Sequence, residues 1–159
     1  MSFNFIILAG GFSHRFKSNL PKPYQKIGGK SLIEINVDKA RKFNAIKKIV
    51  VVYNPKDIKK LKNLQIKNVK FIKGGYTRRE STLKALRALK KTNIPNVLIH
   101  DAARPNFSIN LLKRIIKNMK NSKAVVPTIQ IVDAMKERQE TSLFEYIIGK
   151  NRDNFFLTQ

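Results

Sequence analysis

Apolar residues fall in short, regularly spaced runs. Phe3 to Leu8 is dense in Ile and Phe and stops at the pair Gly10-Gly11, the pattern of a buried first strand delivering a tight turn. Lys48-Ile49-Val50-Val51-Val52-Tyr53 is β-branched and predicts a central strand, stopped by Asn54-Pro55 and followed by a short basic helix through about Lys62. Val69 to Ile72 predicts another strand, again ending in a glycine pair, Gly74-Gly75. Asn96 to His100 predicts a fourth, running into Asp101-Ala102-Ala103-Arg104-Pro105, and Ala124-Val125-Val126 a fifth.

Helical periodicity fills the gaps. Gln25 to Ile27 reads as a short extended piece closed by Gly28-Gly29, after which Ser31-Leu32-Ile33-Glu34 is a capping box. Leu32, Ile35, Val37, Ala40 and Phe43 supply that helix with an apolar side. Arg79 to Lys91 places Leu83, Leu86 and Leu89 with Ala85 and Ala88 on one face. Ser108 caps a helix lined by Leu111, Leu112, Ile115, Ile116 and Met119. Strands alternating with helices predict a parallel α/β sheet with right-handed crossovers. From Thr128 the alternation stops. Gln130 to Lys136 and Phe144 to Ile148 predict two extended stretches around a polar turn, a protruding β-arm within one domain spanning residues 1–159.

Composition narrows the function classes. A chain of 159 residues suits one domain, and its 42% apolar content is ordinary, with no run of membrane-spanning length. With no cysteine, disulfide and thiol chemistry are excluded, and two isolated histidines argue against zinc. A cytoplasmic protein without a membrane partner is expected. The net charge of +23 draws the protein to polyanions. Its cations are dispersed, however, without the cluster of Arg and aromatics that reads nucleic acid, so no specific nucleic-acid partner is expected.

Three predicted strand ends carry chemistry, and ligands of parallel sheets bind at such ends. At Gly10-Gly11 backbone N–H groups can approach an anion, with Arg15 and Lys22 following as cations; the alternative is an ordinary turn on a basic protein. Gly74-Gly75 with Arg78 and Ser81 stands at a strand-to-helix junction that favours an anion or a polar base edge, whereas Arg79 and Glu80 read as surface charges. Asp101 can coordinate Mg²⁺, accept sugar hydroxyls, or cap its own loop; Arg104 can grip a phosphate or pair with Asp101. His100 reads as a packed, hydrogen-bonded histidine. Gly29-Lys30-Ser31 imitates the end of a Walker A loop, but Tyr24 stands where that motif needs glycine. Cations, glycine turns and one acid suit phosphoryl or nucleotidyl transfer.

These motifs resemble a known family. Leu8-Ala9-Gly10-Gly11-Phe12 through Arg15, Pro21-Lys22-Pro23-Tyr24, Gly74-Gly75 to Arg78 and Ser81, His100 to Pro105, Val132-Asp133-Ala134-Met135-Lys136 and Arg152-Asp153-Asn154 are similar in order and spacing to 2-C-methyl-D-erythritol 4-phosphate cytidylyltransferase. The resemblance implies a three-layer, mostly parallel, Rossmann-like nucleotidyltransferase fold. It further implies attack of the substrate phosphate on the α-phosphorus of CTP, with Mg²⁺ bridging the triphosphate. Arg15 and Lys22 would neutralise phosphate charge. Backbone of Ala9, Gly10, Gly11 and Gly75, the Ser81 hydroxyl, and Asp101 with Ala102 would hold the nucleotide. Asp101, Arg104, Asp133 and Arg152 would contact the polyol phosphate, Arg152 from the neighbouring subunit of a homodimer joined through the arm at residues 128–152.

The pattern departs from the family at three places. Ser13 replaces a usual glycine, and Ala134 a usual threonine. Thr158-Gln159 stands where a Thr-Pro-Gln motif should begin, which leads us to expect a fragment with weak or no activity. The same motifs also suit a ribitol-5-phosphate cytidylyltransferase, and the charge alone would suit an inactive, polyanion-binding relative.

Overall fold

The computed structural model describes residues 1–11, 18, 20–140 and 145–158, with backbone alone for 140, 145 and 146. The contacts divide the chain into two units, Met1–Phe107 and Ser108–Gln159, and each is described by itself.

The first unit is built on four parallel strands. β1 (Phe3–Ala9) lies inside the sheet because nearly every residue in it is buried. After the small hairpin of β2 (Lys26–Ile27) and β3 (Lys30–Ser31) comes α1 (Leu32–Arg41), then β4 (Ile46–Tyr53), α2 (Ile58–Lys62), β5 (Lys70–Lys73), α3 (Arg78–Leu89) and β6 (Asn96–Asp101). The sheet order is β5-β4-β1-β6, and all three pairings are parallel. The chain therefore moves outward from β1 through β4 to β5, then returns to the other side of β1. A crevice opens at such a reversal, at the carboxyl ends of β1 and β6.

Register separates the two faces. Ile6 pairs with Val50 and Leu8 with Val52, and these side chains form a core with Ala85 and Leu89 of α3. On the other face, Phe5 and His100 stack with ring centroids 5.8 Å apart, and the Phe107 ring meets His100 edge-on at 4.7 Å. Lys39 of α1 stands 5.7 Å over the Phe107 ring and donates to the Pro105 carbonyl at 2.6 Å. Helices thus flank the parallel sheet, as the alternating pattern required.

Local signals shape the ends of the elements. Gly28 and Gly29 both take positive φ in the β2–β3 turn, where a side chain would be strained. The capping box is complete. The Ser31 N–H donates to Glu34 Oε2 at 2.7 Å, and the Glu34 N–H donates to Ser31 Oγ at 3.2 Å. Burial alone would raise the Glu34 pKa, but the hydrogen bonds from Ser31 and Gln65 outweigh it and hold the carboxyl below its usual value.

Two helix faces differ from expectation. In α1 the fully buried position is Ile33 rather than Ile35, alongside Leu32, Asn36, Val37 and Ala40. In α3 the buried seam is Ser81, Ala85 and Leu89, while Leu83 and Leu86 are 42% and 37% exposed. A spacing of four from Ser81 follows one helical ridge, and its small residues let the helix approach the sheet closely.

In the second unit, α4 (Ile109–Asn118) is capped by Ser108, whose Oγ accepts from the Leu111 N–H at 3.1 Å. β7 (Thr128–Gln130) pairs antiparallel with β10 (Phe156–Thr158), and β8 (Met135–Glu140) forms an antiparallel hairpin with β9 (Glu145–Lys150). The extended stretch expected at residues 130–136 is thus divided between two sheets. The strand expected at Ala124-Val125-Val126 joins no ladder among the described residues, and Val126 is exposed. Three β-branched or small residues before Pro127 report a local preference, whereas a strand exists only where a partner accepts its hydrogen bonds.

Candidate functional site

β1 ends at Ala9, in register with Tyr53, the last residue of β4. Gly10 follows, and a β-carbon there would lie 3.7 Å from Ser81 Oγ and 3.8 Å from the Tyr53 carbonyl oxygen. At Gly74, just beyond β5, a β-carbon would lie 3.1 Å from that same Ser81 Oγ. Ser81 is therefore the point on which both glycine turns converge, and it is buried because α3 brings it there. Its hydroxyl accepts the Gly75 N–H at 3.0 Å, which leaves the hydroxyl proton to donate elsewhere.

Gly75 has no room for a side chain. A β-carbon would come within 2.5 Å of both Cβ and Oε2 of Glu80. The same Oε2 accepts the Tyr76 N–H at 2.8 Å, so Glu80, which reads as a surface charge in the sequence, holds the turn. Lys84 also reaches back, donating to the Gly74 carbonyl at 3.0 Å.

The third strand end is tied to the second. Asp101 Oδ1 is 3.0 Å from the Arg78 guanidinium at the start of α3, and its other oxygen is 3.6 Å from Arg104 Nε. The pairing of Arg104 with Asp101 anticipated as one reading of the sequence is therefore present. Ala102 is fully buried, its N–H donates to the Leu8 carbonyl at 3.0 Å, and its carbonyl accepts from Asn36 Nδ2 at 2.8 Å. His100 Nε2 meets the Arg104 carbonyl at 2.7 Å. A carbonyl only accepts, so this nitrogen carries the proton. Desolvation between the rings is the largest influence on His100 and lowers its pKa, against the opposing effect of that hydrogen bond.

The remaining candidates fall elsewhere. Lys22 opens a short 3-10 turn, Lys22–Tyr24, exposed while Pro23 and Tyr24 beneath it are buried. Burial, with Asp57 and Tyr53 nearby, pushes the Tyr24 phenol well above its ordinary value. Gly11 is exposed, and a β-carbon there would meet nothing within 4 Å. Phe12, Ser13 and Arg15 lie outside the described residues. Asp133 and Arg152 belong to the second unit; there the Arg152 guanidinium donates to the Val132 carbonyl at 2.5 Å, and Asp133 is exposed.

Sequence reasoning missed the loop-holding role of four residues: Asn36, Asn54, Glu80 and Lys84. Asn54 donates to the Gly10 carbonyl at 3.4 Å and accepts from the Lys56 N–H at 3.0 Å. Asn36 did leave a signal, a polar residue within the apolar stripe of α1. Lys84 left none, since one lysine on a basic helix looks like any other.

Comparison with known proteins gives a consistent result. The family model for 2-C-methyl-D-erythritol 4-phosphate cytidylyltransferase, IspD, matches residues 3–155. The bifunctional enzyme IspD/IspF of Pelagibacter ubique is 45% identical over 159 residues, covering 100% of this chain and 42% of the relative. The 2-C-methyl-D-erythritol 4-phosphate cytidylyltransferase of Thermosipho melanesiensis is 37% identical over 132 residues, covering 79% of this chain and 58% of that protein. Among solved structures, the bifunctional IspDF of Campylobacter jejuni superposes with a TM-score of 0.80 at 29% identity, covering 100% of this chain and 39% of its own. The 4-diphosphocytidyl-2C-methyl-D-erythritol synthase of Anaerococcus prevotii does so with a TM-score of 0.77 at 28% identity, covering 99% and 67%. The chain thus spans less than half the length of the bifunctional relatives it matches.

Proposed function

The chain belongs to the 2-C-methyl-D-erythritol 4-phosphate cytidylyltransferase family, and on that premise we propose that it transfers the cytidylyl group of CTP to 2-C-methyl-D-erythritol 4-phosphate. A phosphate oxygen of the polyol forms a bond to the α-phosphorus of CTP as the α–β bridge breaks, and pyrophosphate leaves. The observation that carries this reading is the convergence of Gly10, Gly74 and Gly75 on Ser81 beside the Arg78–Asp101 pair. Backbone of Ala9, Gly10, Gly11 and Gly75 with the Ser81 hydroxyl takes the base side. Asp101 and Ala102 take the ribose side. Arg15 and Lys22 offset the charge that develops on the phosphates, which is where phosphoryl-transfer enzymes gain most.

In this reading Asp101 and Arg104 of the first unit receive the polyol phosphate, and Asp133 and Arg152 are assigned to it by the family resemblance alone. Exposed apolar side chains at Val132, Ile147 and Ile148 in the second unit support a homodimer, in which Arg152 serves the other subunit's substrate. Among the described residues no three metal-ligating side chains gather, and the Asp101 carboxylate already faces two guanidinium groups. In this reading the ion comes with the CTP phosphates. In this reading the reaction is cytoplasmic, as its water-soluble phosphorylated substrates suit; separately, among the described residues no helix is long and apolar enough to cross a membrane.

The test is twofold. Titration calorimetry with CTP and Mg²⁺ should give saturable binding that Lys22→Ala abolishes. Pyrophosphate release, weak as it is expected to be from this chain, should then depend on 2-C-methyl-D-erythritol 4-phosphate and not be supported by ribitol 5-phosphate. Binding of DNA or RNA unaffected by Lys22→Ala, with no CTP binding, would replace this reading by a polyanion-binding one.

A further inference from the structure

The peptide unit joining Gly74 to Gly75 is held at both of its polar ends by one helix. Its carbonyl accepts from Lys84 Nζ at 3.0 Å, and its N–H donates to Ser81 Oγ at 3.0 Å. Ser81 and Lys84 stand three residues apart on α3, so they share a side of the helix. The next peptide N–H, that of Tyr76, is taken by Glu80 at 2.8 Å. Between two glycines a peptide plane meets little steric resistance to rotation, because neither neighbour has a β-carbon to clash. Hydrogen bonds, not sterics, decide which way this one faces.

We propose that Lys84 is a positioning residue for the nucleotide: by holding the Gly74 carbonyl it fixes the orientation of the Gly74–Gly75 peptide and, through the Gly75 N–H, the direction of the Ser81 hydroxyl proton. This rests on the reading that the turn receives the base. With one of its two lone pairs engaged by the Gly75 N–H, the Ser81 hydroxyl keeps its proton to give, and in this arrangement that donor faces the nucleotide. A pyrimidine with an unprotonated ring nitrogen at that edge accepts it. A ring carrying N–H at the same position opposes a donor with a donor. Loss of the lysine frees the peptide to turn over, so that the Ser81 hydroxyl can point its proton back at the exposed carbonyl and cease to discriminate.

The experiment uses the whole 159-residue chain with Lys84→Met and Lys84→Arg, titrated with Mg²⁺–CTP and Mg²⁺–UTP. Lys84→Met should weaken CTP about tenfold, the loss of one charge-assisted hydrogen bond, and reduce the preference for CTP over UTP, while Lys84→Arg retains both. The thermal midpoint should change little, since Lys84 is an exposed residue. In parallel, hydrogen exchange of the Gly75 amide without nucleotide should accelerate in Lys84→Met alone. If the unsubstituted chain binds CTP and Lys84→Met keeps both its affinity and its CTP-to-UTP ratio, the inference is overturned and the cytidylyltransferase reading stands. An unsubstituted chain that binds no CTP overturns both. Unchanged Gly75 exchange in Lys84→Met overturns the clamp whatever the nucleotide result.

Discussion

The Asp101 carboxylate lies 3.0 Å from the Arg78 guanidinium, so the end of β6 is tied to the start of α3 across the sheet's carboxyl edge. Two loops well separated in sequence are joined there by a single ion pair. Arg104 adds a second cation to the same carboxylate at 3.6 Å. All three side chains are substantially exposed, which leaves them free to exchange partners when an anion or a hydroxyl-rich ligand arrives. Exposed pairs of this kind contribute little to folding.

Asp101→Asn should therefore separate function from stability. We expect the denaturation midpoint in urea to correspond to a change within about 1 kcal/mol. Turnover of CTP and the polyol phosphate should fall by about a hundredfold, as expected when a charged hydrogen-bond acceptor for substrate hydroxyls is neutralised. A variant that unfolds readily, or one with full turnover, contradicts this division.

The two glycine turns should respond differently to the same substitution. Gly10→Ala places its methyl at ordinary contact distance, 3.7 Å or more from every neighbour, and should fold as before. Gly75→Ala meets Glu80 at 2.5 Å, so the turn must shift at a cost of about 1–3 kcal/mol. Because Gly75 is hydrogen-bonded to Ser81, the shift should also lower CTP affinity. Thermal melts and calorimetry on the pair of variants compare them directly.

That contrast bears on how much the chain discloses before it folds. Gly10, Gly75 and Asp101 were legible because each ends an apolar run, and a parallel sheet brings such ends to one edge. The hairpin at Met135–Glu140 was poorly legible, since Met-Lys-Glu-Arg-Gln-Glu has no apolar alternation and depends on its partner β9. Leu83 and Leu86 misled for a related reason. Leucine spacing reports which residues could form a face, but close approach of α3 to the sheet selects the small residues Ser81 and Ala85. The grip of Lys84 on Gly74 left no trace at all, because a lysine's sequence context does not say which carbonyl it reaches.

The corrected face of α3 makes its own prediction. Leu89→Ala removes a side chain that is 5% exposed and packed with Ile6 and Val52, and should cost about 2–5 kcal/mol. Leu86→Ala, at a position 37% exposed, should cost less than about 1 kcal/mol. Equal losses in equilibrium urea unfolding would restore the face drawn from leucine spacing.

His100 should give the fold a dependence on mild acid. Burial between Phe5 and Phe107 lowers its pKa below the ordinary value of 6.5, with Lys39 and Arg104 acting in the same direction and Asp101 and the Arg104 carbonyl opposing. In the unfolded chain the imidazole regains its ordinary pKa and so binds protons over a range where the folded protein does not. Stability then rises with pH across the window between the lowered folded value and 6.5, is complete above it, and is lost as the pH falls below it. A single proton limits the slope to about 1.4 kcal/mol per pH unit. His100→Phe keeps an aromatic ring in the stack and has no proton to take up, so its urea stability should be flatter than that of the unsubstituted chain between about pH 7.5 and about pH 5. Identical pH profiles for the two proteins would remove His100 as the source of the dependence.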